Sequence, residues 1–370
     1  MSSATAAPTI AVSSTPTATT RPVAYRVISS VPGRATVSPD GKWIVALTRP
    51  SSGSIFEAIQ LFTIDGAPTR EFTDIGVFWG WLPDSSGIFV APMVPQRAPP
   101  LAIVNLDGRV ISTELQLSHQ TLSRDATLVV AEQQEGCCVA IIQREIRVAR
   151  RDGSGTRTLV TSQMPPPEPQ SVALLGVDAS DRAVYRDGNR IARVPLTGGA
   201  ATTVANSADY ARVIPGSTSP DGAAMLARGY EPARWFVIAN DRVTAWDDNL
   251  GSIVEDGNPG FTKTGPAALW VGPHTVLARD QAGLLSTVDT LTNARTQQAA
   301  RLLSGDVVLA HHSGTLLIVR GGVVVLLDMR SGAVRDTGLD IRPDSGGAHG
   351  AALPSGGFVL SSSSATYRID

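Results

Sequence analysis

Residues 36–47 read TVSPDGKWIVAL, and residues 218–227 repeat the pattern as TSPDGAAMLA. In both stretches Ser-Pro-Asp-Gly stands between a short segment and a longer, mostly apolar one. Proline fixes the backbone angle that the first turn position needs, and glycine accepts the positive φ that tight turns require. Each stretch therefore predicts two β-strands joined by a tight turn.

Weaker copies of this turn recur along the whole chain. Aligned on one residue each, the copies lie roughly forty residues apart, with wider intervals after positions 125 and 221. The aligned positions are 40, 84, 125, 181, 221, 273, 313 and 355. Similarity at a regular period of this length indicates a repeat architecture.

A second set of turns follows the first by roughly twenty residues, and Asp-Gly or Gly-Gly between apolar runs signals a hairpin. Its members are Asp65-Gly66, Asp107-Gly108, Asp152-Gly153, Gly198-Gly199, Asn293-Ala294 and Ser331-Gly332. Two hairpins per repeat give four short strands, whose sheet must be covered on both faces. We therefore predict an all-β fold, a single β-propeller of four-stranded antiparallel blades, with eight blades and seven as the alternative.

The two ends of the chain are predicted to complete one blade together. The last repeat begins near Gly346 and ends at Asp370, which leaves room for three strands rather than four. Residues 23–30 contain Tyr25, Val27 and Ile28 and are expected to supply the missing strand. The propeller should accordingly span residues 23–370.

The repeats resemble those of the TolB-type propeller family. Residues 38–41 and 219–222 match the SPDG turn of that family, and residues 64–66 and 106–108 resemble its second turn. The resemblance covers most of residues 35–225 and fades beyond them. It implies this type of blade, and it implies a protein that binds a partner, because propellers of this group commonly do so.

Composition and charge exclude several functions. The formal net charge is −2 with no sustained basic run, so no nucleic-acid partner is expected. No apolar run has the length of a membrane span, so no direct membrane insertion is expected. Residues 1–22 are mostly Ser, Thr, Ala and Pro, and Arg21 is their only charged side chain. They predict a flexible stalk or linker, or else an ordinary disordered tail.

The stalk favours an extracytoplasmic location, as a secreted, periplasmic or lipoprotein chain whose signal or anchor is not part of this sequence. Sequence signatures of hydrolases, nucleotide-binding loops and zinc proteases are absent. We therefore predict no catalytic residues, no metal and no cofactor. The candidate ligand-binding residues are those expected on inner strands near the channel. They are Trp79, Trp270, Asp306, His312 and His349.

The tryptophans and histidines also have plainer interpretations. The tryptophans could pack between blades, and the histidines could form ordinary hydrogen bonds. Two stretches, 164–169 and 247–265, read as surface insertions that are either functional or neutral. The function predicted is that of a monomeric, non-catalytic scaffold that binds a protein, peptide, glycan or small ligand at a channel mouth. The alternatives are a sensor ectodomain of a larger membrane protein and a channel-mouth lyase, lactonase or glycosidase.

Cys137 and Cys138 are the only cysteines and are adjacent, so they could form a vicinal disulfide or remain two reduced thiols. If the protein is exported, we expect the disulfide. Mass spectrometry of unreduced, alkylated protein from an oxidising compartment should then find neither thiol alkylated. Two alkylated thiols in that material would contradict the prediction.

Overall fold

The computed structural model describes residues 23–31, 35–48, 58–73, 75–91, 100–116, 119–135, 143–163, 172–230, 233–246, 269–280, 282–341, 348–362 and 365–370. These residues form eight antiparallel sheets arranged as a propeller, together with a 3-10 helix at Ala208–Arg212. The predicted stalk, the two insertions and both cysteines lie outside the described residues, so the predictions about them stay predictions.

The first four blades are each built from four consecutive strands. Blade 1 contains β2 (Ala35–Val37), β3 (Trp43–Thr48), β4 (Ala58–Thr63) and β5 (Pro68–Phe72). Blade 2 contains β6 (Val77–Trp81), β7 (Gly87–Ala91), β8 (Pro100–Asn105) and β9 (Val110–Gln116). Blade 3 contains β10 (Gln120–Leu122), β11 (Leu128–Glu135), β12 (Gln143–Arg150) and β13 (Arg157–Gln163). Blade 4 contains β14 (Val172–Val177), β15 (Arg182–Asp187), β16 (Arg190–Pro195) and β17 (Thr202–Asn206).

The remaining blades follow the same order, with two variations. Blade 5 contains β18 (Val213–Thr218), β19 (Ala224–Tyr230), β20 (Ala233–Ala239) and β21 (Arg242–Trp246). Blade 6 contains β22 (Thr275–Arg279), β23 (Leu284–Asp289) and β24 (Arg295–Arg301). Blade 7 contains β25 (Val307–His312), β26 (Thr315–Arg320), β27 (Val323–Asp328) and β28 (Val334–Asp340). Blade 8 contains β29 (His349–Ala352), β30 (Phe358–Ser361), β31 (Thr366–Ile369) and, from the other end of the chain, β1 (Tyr25–Val27).

Blade 6 is the variation within the ring. Its inner position is occupied by the backbone around Trp270, which forms an isolated bridge with Val276. The amide of Leu277 also donates to the carbonyl of Leu269 over 3.0 Å. The period predicted around position 273 is therefore a blade, and the ring has eight blades rather than seven.

The first strand of each blade lines the central channel, and we call it the inner strand. All inner strands run in the same direction. We call the end at which they begin the start face and the end at which they turn into the second strand the turn face. Turns of the Ser-Pro-Asp-Gly type lie on the turn face, whereas the second strand of each blade ends, and the third begins, at the start face.

The core consists of layers between neighbouring blades. Residues of the second strands alternate between the two adjoining layers because successive side chains point to opposite faces of a sheet. In β15, Val184 packs into the layer shared with blade 5, and Tyr185 packs into the layer shared with blade 3. This arrangement explains why the middle of each second strand is apolar, since both of its faces are covered there.

The Ser-Pro-Asp-Gly turn is held by its own side chains. The Ser38 hydroxyl donates to the Asp40 carboxylate over 2.6 Å and accepts the amide of Trp43 over 3.0 Å. The same two bonds recur in blades 3 and 5. In blade 3, hydrogen bonds from the Ser123 hydroxyl and from Thr127 lower the pKa of Asp125. The motif thus encodes a rigid turn, as the sequence predicts.

Neighbouring turns are also joined to each other on the turn face. The amide of Asp40 donates to the Ser85 hydroxyl of blade 2 over 2.8 Å. The amide of Arg124 donates to the Asp181 carboxylate of blade 4 over 2.8 Å. Gly41 has a φ of +70°, and a Cβ there would lie 2.2 Å from the Pro354 ring of blade 8. Glycine is therefore required where these turns meet.

The ring closes as predicted. Tyr25, Arg26 and Val27 pair antiparallel with Ile369, Arg368 and Tyr367. Just beyond β1, the amide of Ile28 donates to the carbonyl of Thr366 over 2.8 Å. Just before β1, the amide of Val23 donates to the backbone carbonyl of Asp336 in blade 7 over 3.0 Å. The two ends of the chain therefore share one sheet, which leaves no gap in the ring.

Truncation tests this closure. A protein lacking residues 1–20 should keep the wild-type melting temperature, because those residues precede the pairing segment. A protein lacking residues 1–31 should melt at a sharply lower temperature, because each net hydrogen bond that it loses is worth about 0.5–1.5 kcal/mol. Calorimetry of both truncations measures the difference. Equal melting temperatures would contradict the closure.

Candidate functional site

The five candidate residues do not share one mouth of the channel. Asp306 directly precedes β25, and His349 is the first residue of β29, so both lie towards the start face. Trp270 occupies the inner position of blade 6, and Trp79 lies in the middle of β6. His312 is the last residue of β25 and therefore lies on the turn face.

The two tryptophans contribute to packing between blades. Trp79 packs against the layer shared by blades 2 and 3, and Trp270 packs against the layer shared by blades 5 and 6. The indole nitrogen of Trp270 donates to the Ser217 hydroxyl of blade 5 over 2.9 Å. Packing was the plainer interpretation that the sequence left open, and a ligand contact by either residue remains a prediction.

Asp306 and His312 are likewise engaged within the protein. Asp306 is buried and accepts hydrogen bonds from the Arg320 guanidinium at 2.7 Å and from the amide of Leu303 at 2.8 Å. The ring of His312 meets the ring of Phe358 edge to face, with centroids 6.5 Å apart. These contacts fix both side chains, and their predicted role towards a ligand remains untested.

His349 lines a cavity of about 260 Å³ in the channel wall formed by blades 7, 8, 1 and 2. Its floor consists of small residues on inner strands, including Ala35, Gly80, Gly350 and Ala351. A Cβ on Gly350 would approach the Cβ of Leu309 to 2.7 Å, so glycine is needed for blades 7 and 8 to pack. Beyond His349, β29 carries only glycine and alanine, which leave space in the channel wall.

A second cavity, of about 730 Å³, opens on the turn face among the turns of blades 1 to 5. Exposed Pro39, Pro83 and Pro220 stand at equivalent positions on its rim. Its carboxylates have partners within the protein. Asp178 accepts from Arg182 over 2.8 Å, and Asp221 lies 3.4 Å from His274. The polar groups of this cavity are therefore largely occupied in holding the turns.

One position that the sequence analysis did not single out joins consecutive blades at the start face. In blade 8, the Ser361 hydroxyl accepts the amide of Ala35, the first inner-strand residue of blade 1, over 2.8 Å. In blade 3, the Glu132 carboxylate accepts the amide of Leu174 in blade 4 over 3.2 Å. In blade 4, the Arg186 guanidinium donates to the carbonyl of Val213 in blade 5 over 3.0 Å.

We call this the seam position: the second-strand residue that lies beside the beginning of the next blade's inner strand. Arg186 is buried there, and burial lowers its pKa while the carboxylate of Glu132 opposes the shift. The next two blades have Arg228 and Arg279 at the same position, four residues after the residue whose carbonyl closes the turn, as Arg186 follows Arg182. A repeated sequence signal existed, because each arginine ends an apolar run and is followed by Asp or Gly, at residues 186–187, 228–229 and 279–280.

Two general properties of the described residues bear on function. Nowhere in the described part of the chain do three or more His, Cys, Asp or Glu side chains come together in a way that could hold a metal ion. No helix within that part is long and apolar enough to cross a membrane.

Comparison with known proteins supports the fold. No family model and no curated protein matches the sequence. Among solved structures, the chain is similar to the dihydro-heme d1 dehydrogenase NirN in complex with DHE, with a TM-score of 0.52 and 17% identity over 90% of this chain and 70% of that one. At this identity the likeness shows the propeller fold alone.

Two further similar structures are TolB proteins. TolB from Acinetobacter baumannii has a TM-score of 0.41 and 14% identity, over 70% of this chain and 64% of that one. A putative TolB from Agrobacterium tumefaciens has a TM-score of 0.38 and 15% identity, over 61% of this chain and 81% of that one. Both are structural neighbours of this chain.

Protonation of His311 should make the stability of the fold depend on pH. Burial, with a smaller contribution from the neighbouring His312, lowers the pKa of His311 to about 4. Its Nε2 atom accepts the amide of Gly314 over 3.1 Å, which requires that nitrogen to be unprotonated. The fold therefore binds the neutral imidazole, whereas the unfolded chain titrates near the ordinary histidine pKa of about 6.5.

The stability should consequently be greatest above about pH 6.5 and fall as the pH drops towards about 4, because the unfolded chain takes up the proton first. His311→Gln keeps an acceptor but does not titrate, so its unfolding free energy should decline less steeply over this range. Thr315→Ser, a change without charge on the neighbouring strand, is the matched control and should keep the wild-type slope. Urea unfolding at several pH values measures both. Parallel curves for the wild type and His311→Gln would contradict the assignment.

Proposed function

We propose that the protein is a non-catalytic binding propeller whose ligand enters the channel from the start face. The observation that carries this proposal is the cavity of about 260 Å³ in the channel wall, with small residues on its floor and His349 and Trp81 beside them. A preformed concave site with few polar groups is the usual form of a ligand pocket. Binding needs only this rigid surface, whereas catalysis needs reactive groups held within mutual reach.

The arrangement of the connections supports the same face. The strand ends that flank the chain's longest connections lie at the start face. Binding residues of scaffold proteins concentrate on such connections. The turn face has a structural role, because its carboxylates and amides hold the turns to one another. The ligand class that fits the proposal is a peptide, a glycan or a small molecule, or a segment of a protein partner.

We further propose that the protein acts outside the cytoplasm, as a secreted, periplasmic or membrane-tethered chain. The Ser, Thr, Ala and Pro composition of residues 1–22 supports this location, because such a segment suits a stalk. The resemblance to TolB-type repeats supports both the binding role and the family assignment, which remain proposals.

A matched pair of variants tests which face binds. Ala351→Phe fills the channel cavity, and Ala179→Phe makes the same change in the turn-face cavity. Thermal unfolding is followed in the presence of a panel of short peptides, oligosaccharides and small carboxylates. A member of the panel should raise the melting temperature of the wild type and of Ala179→Phe, and Ala351→Phe should abolish the shift, since only a bound ligand stabilises the fold.

Three outcomes would contradict the proposal. They are the absence of any stabilising compound in the panel, a shift that Ala179→Phe abolishes while Ala351→Phe retains it, and chemical conversion of the bound compound. The melting temperatures of both variants without ligand show whether either substitution harms the fold itself.

A further inference from the structure

The cavity in the channel wall extends along the inner strands from the start face towards the turn face. His349 begins β29, Trp81 ends β6, and both residues line the cavity. Because every inner strand runs from the start face to the turn face, His349 lies at the start-face end and Trp81 at the opposite end. A ligand that enters from the start face therefore passes His349 first and reaches Trp81 last.

Two contacts fix the indole ring of Trp81. Its nitrogen donates to the backbone carbonyl of Thr36 in blade 1 over 3.4 Å, and the ring packs against the layer shared by blades 1 and 2. Trp81 is still only half-buried and borders the cavity. The ring therefore gives the cavity a flat apolar surface that is in place before a ligand arrives.

Thr36 places a hydroxyl group on the same side of β2 as this ring. Its neighbours Ala35 and Val37 pack into the layer shared by blades 8 and 1. Since successive side chains of a strand point to opposite faces, the side chain of Thr36 points towards blade 2, to which Trp81 belongs. A hydroxyl group therefore accompanies the aromatic surface of the cavity.

His349 points from blade 8 towards blade 1. It alternates with Gly350, at which a Cβ would meet Leu309 of blade 7, so His349 faces the other way. His349, Thr36 and Trp81 belong to three blades, yet all three border the same cavity. The cavity thus combines an imidazole, a hydroxyl and an aromatic ring.

A neutral pyranose ring matches this combination. Its C–H groups form an apolar face that stacks on an aromatic ring, and its hydroxyl groups form a rim that both donates and accepts hydrogen bonds. The hydroxyl of Thr36 and the imidazole of His349 can also do both. An aromatic side chain of a peptide would instead bury these two polar groups against its apolar edge, which costs free energy.

The size of the cavity indicates a single ring. Its volume of about 260 Å³ lies just below the roughly 300–1,000 Å³ of pockets that hold drug-sized ligands. One sugar unit is therefore a better fit than a longer chain segment, and the rest of a glycan would extend past His349 towards the start face.

We infer that the cavity binds the terminal pyranose ring of a neutral glycan, with the ring stacked on Trp81 and its hydroxyl groups bound by Thr36 and His349. This inference rests on the proposed function, since it gives the chemical class of the ligand that enters the same cavity. It also assigns the specificity for sugars to residues of three neighbouring blades.

The methyl glycosides of glucose, galactose, mannose and N-acetylglucosamine are the probes, because each presents one neutral ring. Isothermal titration calorimetry measures their dissociation constants for the wild type, Trp81→Leu, Trp81→Phe and Thr36→Val. Thr121→Val is the matched control. Thr121 occupies in β10 the position that Thr36 occupies in β2, but it lines the turn-face cavity instead.

At least one glycoside should bind the wild type and Thr121→Val with the same dissociation constant. Trp81→Leu should abolish that binding, whereas Trp81→Phe keeps a smaller aromatic ring and should retain part of it. Thr36→Val should weaken binding about three- to tenfold, which corresponds to the loss of one hydrogen bond. In proton–nitrogen correlation spectra, the indole resonance that is missing from Trp81→Phe should shift when the glycoside is added to the wild type.

The inference is wrong if none of the four glycosides binds the wild type, or if Trp81→Phe and Thr36→Val bind a glycoside as well as the control does. Melting temperatures of the ligand-free variants show whether a substitution harms the fold. If Trp81→Leu does not fold, Trp81→Phe and Thr36→Val still decide the outcome.

Failure of this inference can be distinguished from failure of the proposed function. If Ala351→Phe abolishes the stabilisation by a peptide while no glycoside binds the wild type, the channel function stands and the sugar site fails. If neither a peptide, a glycoside nor any other compound of the panel depends on Ala351, both fail.

Discussion

The hydrogen bonds between Tyr25–Val27 and Thr366–Ile369 join the two ends of the chain within one sheet. Every other blade depends on this junction, because a four-stranded sheet buries both faces only if it has a neighbour on each side. Blade 8 would otherwise end in β31 with an unpaired edge, and the layer between blades 8 and 1 would open to water. Ile28 lies in that layer with Ala35 and Ile44, so the closing segment contributes packing as well as hydrogen bonds.

The two faces of the ring are stabilised by different kinds of contact. On the turn face, serine hydroxyls, aspartate carboxylates and backbone amides bind one another, as Ser38 and Asp40 do. On the start face, the seam position joins consecutive blades through the hydroxyl of Ser361, the carboxylate of Glu132 and the guanidinium of Arg186. A site on the start face can therefore vary from blade to blade without disturbing the turns that hold the ring.

The fold could be predicted from sequence because its signals are local. The turn of residues 38–41 encodes its own hydrogen bonds, and the shortage of residues after Gly346 points to a strand from the other end. Blade 6 was harder, because the described part of its inner position, from Leu269 onwards, contains an isolated bridge at Trp270. A bridge of that kind depends on how the neighbouring blades pack and has no periodic pattern of its own.

The placement of the candidate residues depends on strand direction and register, which the sequence does not give. His312 was grouped with Asp306 and His349, yet six residues of β25 carry it to the opposite face. Arg228 and Arg279 were not singled out from the sequence, because the position that they share with Arg186 is defined by strand register. Only the pairing of each inner strand with its neighbour, including an irregularity between Pro215 and Ser217, shows that they share a position with Arg186. Sequence spacing alone does not fix that alignment.

The account rests on ring closure, and native-state hydrogen exchange of the intact protein tests it most directly. Val27 and Ile28 lie in or beside the closing strand, and Ile28 donates its amide to Thr366. We predict that the Ile28 amide exchanges as slowly as amides of β30 in the same blade, because opening it requires opening the ring. Exchange of the Ile28 amide as fast as that of residues 1–20, with β30 still protected, would contradict the account.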